Sequence, residues 1–473
     1  MMKIKRMLLL LLSCFALAAN AQTATTQQPT VYNFSVKDCI EYAKKNNVQV
    51  KNALLQISIQ EQTNRSITAA AYPQINSSIG TQHNPNIAVQ VIPDFISPAT
   101  YGVLVNEGVR NGNGQPITMP NQFGALAAQF GTKWNANGTV SLNQILFNGE
   151  VFVGLQARST AMQFYQKNYE VTEQIIQANV VKLYYQLVAS KEQIAILDAN
   201  ITRAKVLLND TKALWKNGFT EKLNVDRAEV QLANIETQKL QVKNQIDNGY
   251  LGLKYLIGMP VNDALVLTEQ VTADKIKDGI LDSFNHQYTA RPEYEYAQLG
   301  VKLNELNLKR YKYAYYPTAN LAAAYSKQAQ RNAFNFFGKG DWFTASFIQF
   351  GVSMPIFNGF GRDANIKKTA LELKQSQNQL SNLKNNIDNE VTTAKNNFKN
   401  AIITYDLQNK TVLLAEQVYN QTKKKFESGL ASSTDIANTQ ADLITAQNNL
   451  INAMYNAIIA RVDYFRASGK IPY

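Results

Sequence analysis

Two stretches of the chain alternate apolar and polar residues with a period of two. In 134–147, Trp134, Ala136, Val140 and Leu142 alternate with Asn135, Asn137, Thr139, Ser141 and Asn143. In 347–357, Ile348, Phe350, Val352 and Met354 alternate with Gln349, Gly351 and Ser353. Successive side chains of a strand point to opposite faces, so each stretch reads as a strand with one apolar face. A weaker alternation runs through 73–82 and 317–326. Each of these follows a Tyr-Pro pair, Tyr72-Pro73 or Tyr316-Pro317, which ends a preceding helix because proline disfavours helical backbone in the residue before it.

A second periodicity has steps of three and four. Apolar or small residues carry it through Val180, Leu183, Leu187, Ser190, Ile194, Leu197, Ile201, Ala204 and Leu208, and again through Leu380, Leu383, Ile387, Val391, Ala394, Phe398, Ala401 and Tyr405. These are helical stripes. No proline lies between Glu150 and Met259 or between Ile356 and Ile471. Helices are therefore expected from about 150 to 216 and from about 360 to 427, each roughly 100 Å long at about 1.5 Å per residue. Gly218 and Gly429 break them, and return helices follow from about 220 to 256 and 432 to 467. Gly258 and Gly469, with Pro260 and Pro472 beyond, close those.

The two sets of elements form one duplicated unit. "AAAYPQI" (69–75) pairs with "YAYYPTA" (313–319) at an offset of 244. "FNG" (147–149) pairs with "FNG" (357–359) at 210, and "KNGFTEKLNVDRAEVQLANIETQ" (216–238) with "ESGLASSTDIANTQADLITAQNN" (427–449) at 211. The order is preserved, and 34 extra residues fall in the first unit between its two strands. The first repeat is read as 22–258, with strands about 73–83 and 132–147 and a long hairpin about 150–257. An inter-repeat segment, 259–283, follows. The second repeat is 284–473, with strands about 317–327 and 343–357 and a hairpin about 360–468. Each Phe-Asn-Gly, with Phe147 and Gly149 or Phe357 and Gly359, is expected where a strand becomes a helix, glycine permitting the redirection.

Strands of about ten residues, apolar on one side and polar on the other, suit a membrane β-barrel. Four strands cannot close one, because an open edge in lipid leaves backbone groups without partners. Several copies must share it, and three would supply about twelve strands.

Composition narrows the rest. Of 473 residues, 45% are hydrophobic and the net charge is +12, but the basic residues are scattered and form no stripe for nucleic acid. Residues 1–21, "MMKIKRMLLLLLSCFALAANA", have the basic start, apolar run and small-residue end of a signal peptide. Cys14 within them raises a lipoprotein alternative, against which the apolar run continues to Ala19. Past it only Cys39 remains, so no internal disulfide forms. No later stretch has about 18 consecutive apolar residues. His83 and His286 stand without a cluster of metal-ligating partners, and no phosphate-binding glycine loop opens a helix. The chain is read as neither an enzyme nor a holder of a cofactor or metal.

These motifs, with "FSVKDCIEYAKKNNVQVKNALLQ" (34–56), "ARPEYEYA" (290–297) and "PIFNGFGRDANI" (355–366), resemble the TolC-type outer-membrane efflux protein family over nearly the whole chain. The resemblance implies a mainly α fold with a membrane β-barrel: a homotrimer with a twelve-stranded β-barrel on a twelve-helix α-barrel. It would be the exit duct of a tripartite efflux or type I secretion system. Small molecules or polypeptides would reach it from an inner-membrane pump of RND or ABC type through a periplasmic adaptor. The hairpin tips would close the inner end like an iris. Asp435 matches a gate carboxylate of the family, Asn438 stands where a second is often found, and Phe426 lies beside them. Asp435 reads equally as a helix N-terminal residue favoured by the dipole. Gly218, Phe219, Gly429 and Leu430 form the tips expected to meet the adaptor, or are simple helix caps. The loop at about 83–131 is expected outside the cell, and the aromatic loop 327–343 at the outer interface or pore mouth. Two other classes remain, a periplasmic coiled-coil adaptor and a structural fibre or adhesin.

Overall fold

The computed structural model describes residues 31–270, 272, 276–277 and 287–470. The signal peptide, Cys14, His286 and part of the inter-repeat segment lie outside them. Described strands are β1 (Val31–Phe34), β2 (Gln74–His83), β3 (Val89–Pro93), β4 (Ala125–Gln129), β5 (Trp134–Phe147), β6 (Ala264–Leu267), β7 (Thr318–Arg331) and β8 (Phe343–Ser353). Described helices are α1 (Val36–Asn46), α2 (Val48–Ala69), α3 (Ile96–Asn106), α4 (Gly149–Lys216), α5 (Lys222–Ile257), α6 (Pro292–Tyr313), α7 (Gly361–Glu427) and α8 (Ser433–Ala467).

The chain divides into two compact units, and both draw on both sequence repeats. One takes in the described parts of Met1–Glu61, Ser159–Leu303 and Leu373–Tyr473; the other is Gln62–Arg158 with Asn304–Glu372.

The first unit is helical. Its core gathers Ile40 of α1, Val180, Tyr184 and Leu187 of α4, Leu253 and Ile257 of α5, Ile387 and Phe398 of α7, and Ala457 and Ile458 of α8. The helical stripes of the sequence supply these residues, and tertiary packing of those stripes stabilises helices this long. β1 and β6 pair in parallel beside the core. The Tyr184 hydroxyl donates to the Phe34 carbonyl at 3.0 Å and accepts from the Glu269 amide at 3.1 Å, which satisfies the polar end of a fully buried ring.

The second unit holds an antiparallel four-stranded sheet in the order β2-β5-β7-β8. One row crosses it through Ile75, Leu142, Ala323 and Ile348. β8 ends at Ser353, short of the expected Phe357. Pro355 explains this, because proline has no N–H to give to a ladder. The stretch expected as a plain loop between β2 and β5 contains an antiparallel ribbon, β3 with β4, and the helix α3.

Candidate functional site

The register sorts the sheet into two faces. Ile75 and Ile79, Val140 and Leu142, Leu321, Ala323 and Tyr325, and Ile348, Phe350 and Val352 share one face. The other carries Gln74, Asn76, Ser78 and Gln82, Asn135, Asn137, Thr139, Ser141 and Asn143, and Ser326, Gln328 and Gln330, with no charged side chain. Phe343 and Phe347 also stand on this polar face, against the alternation of their neighbours. The apolar face is bare: Ile348 is 81% exposed. Lys327 and Arg331 are the charged residues of that face, at the end where β7 runs toward β8. Tyr72, Tyr315, Tyr316, Phe357 and Phe360 are exposed at the other end. The strands β2 and β8 each pair on one side only, which leaves two open edges.

The two Phe-Asn-Gly triplets differ. In the first, Phe147 ends β5 and Gly149 begins α4. The Asn148 side chain accepts from the amides of Glu150 at 2.9 Å and Val151 at 3.3 Å, so it caps the helix. Gly149 is needed for space rather than for redirection: a Cβ there would lie 2.7 Å from the Tyr313 carbonyl oxygen. In the second, Phe357 lies beyond the strand. Gly359 and Phe360 both take φ of 63° before α7 starts at Gly361. Phe360 is the non-glycine residue with positive φ among the described residues.

The two hairpin turns are built alike. The Gly218 amide (φ 78°) donates to Trp215 at 3.0 Å and the Phe219 amide to Leu214 at 2.9 Å. The Gly429 amide (φ 72°) donates to Phe426 at 3.0 Å and the Leu430 amide to Lys425 at 2.8 Å. Both are Schellman closures, which need a left-handed residue where glycine stands. Phe219 and Leu430 occupy the same place in the two turns and are each 80% exposed.

The following helices start differently. Glu221 precedes α5 without a side-chain cap. Ser432 and Asp435 form a reciprocal capping box on α8: the Asp435 carboxylate accepts from the Ser432 amide at 2.9 Å and hydroxyl at 2.8 Å. These bonds hold the Asp435 carboxyl below the usual carboxylate range. Asp435 and Asn438 are exposed, and Asn438 lines a groove of about 440 Å³ with Arg227, Gln231 and Asn234 of α5. Phe426 is half-buried and packs with Leu207, Tyr419, Ile436 and Leu443. The expected gate residues thus occupy three settings: a helix cap, a groove wall and a core cluster.

Two buried polar groups escaped the sequence reading. Arg291, 3% exposed, bonds to Glu293, to Glu390 at 2.8 Å and to the Ala467 carbonyl at 3.1 Å. Its signal was its place in "ARPEYEYA". A layer of amides also joins α4 to α8: Asn200 donates to Gln447 at 2.9 Å, Gln440 to the Asn200 carbonyl at 3.3 Å, and Gln193 to Asn448 at 3.1 Å. Asn200 and Gln440 are fully buried, and nothing in the local periodicity marked them.

Among the described residues no helix is long and apolar enough to cross a membrane, and no group of His, Cys, Asp and Glu is placed to hold a metal ion.

The sequence model of the family described as "Outer membrane efflux protein" matches residues 39–259 and 291–470. The "Proteases secretion protein PrtF" of Dickeya chrysanthemi is 19% identical over 344 residues, 71% of this chain and 73% of that one. The "Outer membrane protein TolC" of Vibrio cholerae is 18% identical over 335 residues, 70% of this chain and 76% of that one. Among solved structures, CusC aligns with a TM-score of 0.73 at 14% identity, covering 94% of this chain and 96% of that chain. The Campylobacter jejuni CmeC outer membrane channel aligns with a TM-score of 0.71 at 15% identity, covering 94% and 90%.

Proposed function

The chain belongs to the outer membrane efflux protein family and resides in the outer membrane, and from that premise we propose that three copies assemble into one closed channel. The sheets join β8 of one copy to β2 of the next, giving a twelve-stranded barrel. The helical hairpins form a twelve-helix barrel extending into the periplasm. The observation that carries this reading is the sheet itself: an apolar bare face, an uncharged polar face and two open edges. In lipid those edges need partners, and a second copy supplies them with the antiparallel sense that four alternating strands require. Strands of 10, 14, 14 and 11 residues are long enough to cross, since a tilted membrane strand needs roughly 9–11. The polar face becomes the channel wall, and its lack of fixed charge suits passage of varied cargo. Tyr72, Tyr315, Tyr316, Phe357 and Phe360 serve as the aromatic girdle at the inner interface.

The protein acts as a duct and not an enzyme. Its cargo is small molecules or polypeptides delivered by an inner-membrane pump, of RND or ABC type, through a periplasmic adaptor. That one relative is a protease secretion protein supports the polypeptide branch. Phe219 and Leu430, exposed at equivalent places on the tips, serve as the apolar contacts for the adaptor. Asp435 and Asn438 contribute to an inner closure at the same tips. The adaptor and fibre alternatives both lack a use for an amphipathic four-stranded sheet.

The decisive experiment is single-channel recording of the detergent-extracted oligomer in a planar bilayer, for the wild type and Asp435→Ala. A small conductance that rises in the variant supports a gated duct closed at the tips. A small conductance unchanged by the variant keeps the duct and removes Asp435 from the gate. A folded oligomer with no conductance overturns the channel.

A further inference from the structure

The stretch between β2 and β5, which holds the 34 residues that the first repeat has in excess, folds into β3, α3 and β4 and exposes an apolar surface. Val91, Phe95, Ile96 and Val103 are all more than half exposed, and α3 has no charged residue and no buried one. An eleven-residue helix of this kind is marginal in water unless something covers its apolar side. The β7–β8 turn carries the complementary feature, with Phe334 and Phe343 exposed and Phe337 96% exposed.

The sheet topology says how these two surfaces meet. β2 ends at His83, β5 starts at Trp134, β7 ends at Arg331 and β8 starts at Phe343, and these four residues share one end of the sheet. The insertion bridges β2 and β5; the aromatic turn bridges β7 and β8. Within one chain the turn packs on the sheet end from which the insertion springs, Phe334 against Trp134 at 4.9 Å between ring centres, with His83 stacked on Trp134 at 4.2 Å. When β8 of one copy pairs with β2 of the next in the antiparallel sense, the start of β8 comes to the end of the next copy's β2. Insertions and turns then alternate around the ring, and each insertion has a turn on both sides.

We propose that the apolar surface of the insertion packs against the β7–β8 aromatic turn of the neighbouring copy, forming a continuous apolar collar at the outer mouth. This rests on the three-copy reading above. A second copy is favoured over lipid as the occupant because Lys327 and Arg331 stand on the outward face just before the turn. Charges there mark the end of the hydrocarbon layer, so apolar groups beyond them meet water unless protein covers them. Direct continuity with the β2 edge places the neighbour's turn within reach.

The test uses the full chain in detergent, with the temperature at which the oligomer separates on gels as the readout. Val103→Asp and Phe337→Asp are each expected to lower it. The double variant should lower it by less than the sum, since both remove one contact. A bifunctional thiol reagent on Gln82→Cys with Phe343→Cys, both on the polar face, monitors ring closure separately, Cys39 being buried. Cross-linked rings with unaltered separation temperatures, or with effects that simply add, overturn the collar and keep the ring. Rings whose temperatures are unaltered but whose variants no longer hold in vesicles assign the surface to lipid and also overturn it. A wild type that is monomeric overturns the three-copy reading and the collar together.

Discussion

Arg291 donates to the carbonyl of Ala467 at 3.1 Å, and the same contact recurs one repeat earlier, where Asn47 donates to Leu256 at 2.7 Å. The donors are 244 residues apart and the acceptors 211, the offsets of the flanking sequence landmarks. In each repeat the start of the helix that leads into the first sheet strand, α2 or α6, is tied to the last turn of the return helix. The closing glycines sit at the same joints: a Cβ on Gly258 would lie 2.4 Å from the Asn46 carbonyl oxygen, and one on Gly469 2.8 Å from that of Ala290.

Removing Arg291 should therefore loosen the second repeat. Arg291→Ala leaves Glu293 and the Ala467 carbonyl without their buried partner, and is expected to cost about 2–4 kcal/mol. Arg291→Lys should recover only part, because lysine cannot fork between two carboxylates and a carbonyl. Chemical denaturation followed by helical circular dichroism measures both. A loss under about 0.5 kcal/mol would remove Arg291 from this role.

The glycines should separate by cause. Gly218→Ala meets only the left-handed backbone penalty, about 1–2 kcal/mol, since a Cβ there has open space. Gly258→Ala adds a clash with backbone and should cost at least about 2 kcal/mol more. Equal losses for the two would show that the joint at Asn46 yields.

The amide layer should behave as a coupled unit. Asn200→Leu strands Gln447 and takes an acceptor from Arg203, for an expected loss of about 1–3 kcal/mol. Adding Gln447→Leu should restore part of that loss, because two apolar groups leave no orphan. Additive losses in the double variant would disprove the coupling.

Asp435 offers a pH test. Its folded pKa is depressed by Ser432, so its contribution is present above the unfolded carboxylate value and disappears as pH falls through the lower folded value. Protection of the amides at the start of α8, corrected for the intrinsic exchange rate, should fall in that acid window, and at higher pH in Ser432→Ala. Conductance separates cap from charge: if Ser432→Ala opens the channel as Asp435→Ala does, the cap matters. If only Asp435 variants open it, the exposed carboxylate itself acts.

Cys39 should report unfolding. Burial pushes its thiol up to about 12, so near neutral pH very little of it is thiolate. A thiol reagent should label the native protein negligibly and the denatured chain fully. Rapid labelling of native protein would contradict the packing around α1.

Much of this protein is written in local periodicity. The alternation through Trp134, Val140 and Leu142, the stripes through Leu187 and Ile387, and the turns at Gly218 and Gly429 are each set by neighbours a few residues away, so they can be read along the chain. The gate candidates were legible only as positions. Phe426 lies in a core cluster with Leu207 and Tyr419, and Asp435 in a box with Ser432.

The sequence by itself determined the duplication, the helices, the amphipathic strands and the family resemblance, because repeats and periods are properties of order. Tertiary structure alone decided the strand order β2-β5-β7-β8, the interleaving of both repeats in each compact unit, and the folded insertion. It alone decided the burial of Arg291 and Asn200, and the steric reason for Gly149. Those depend on which distant residues meet, and a contact such as Arg291 with Ala467 has no local trace in a chain that separates its partners by 176 residues.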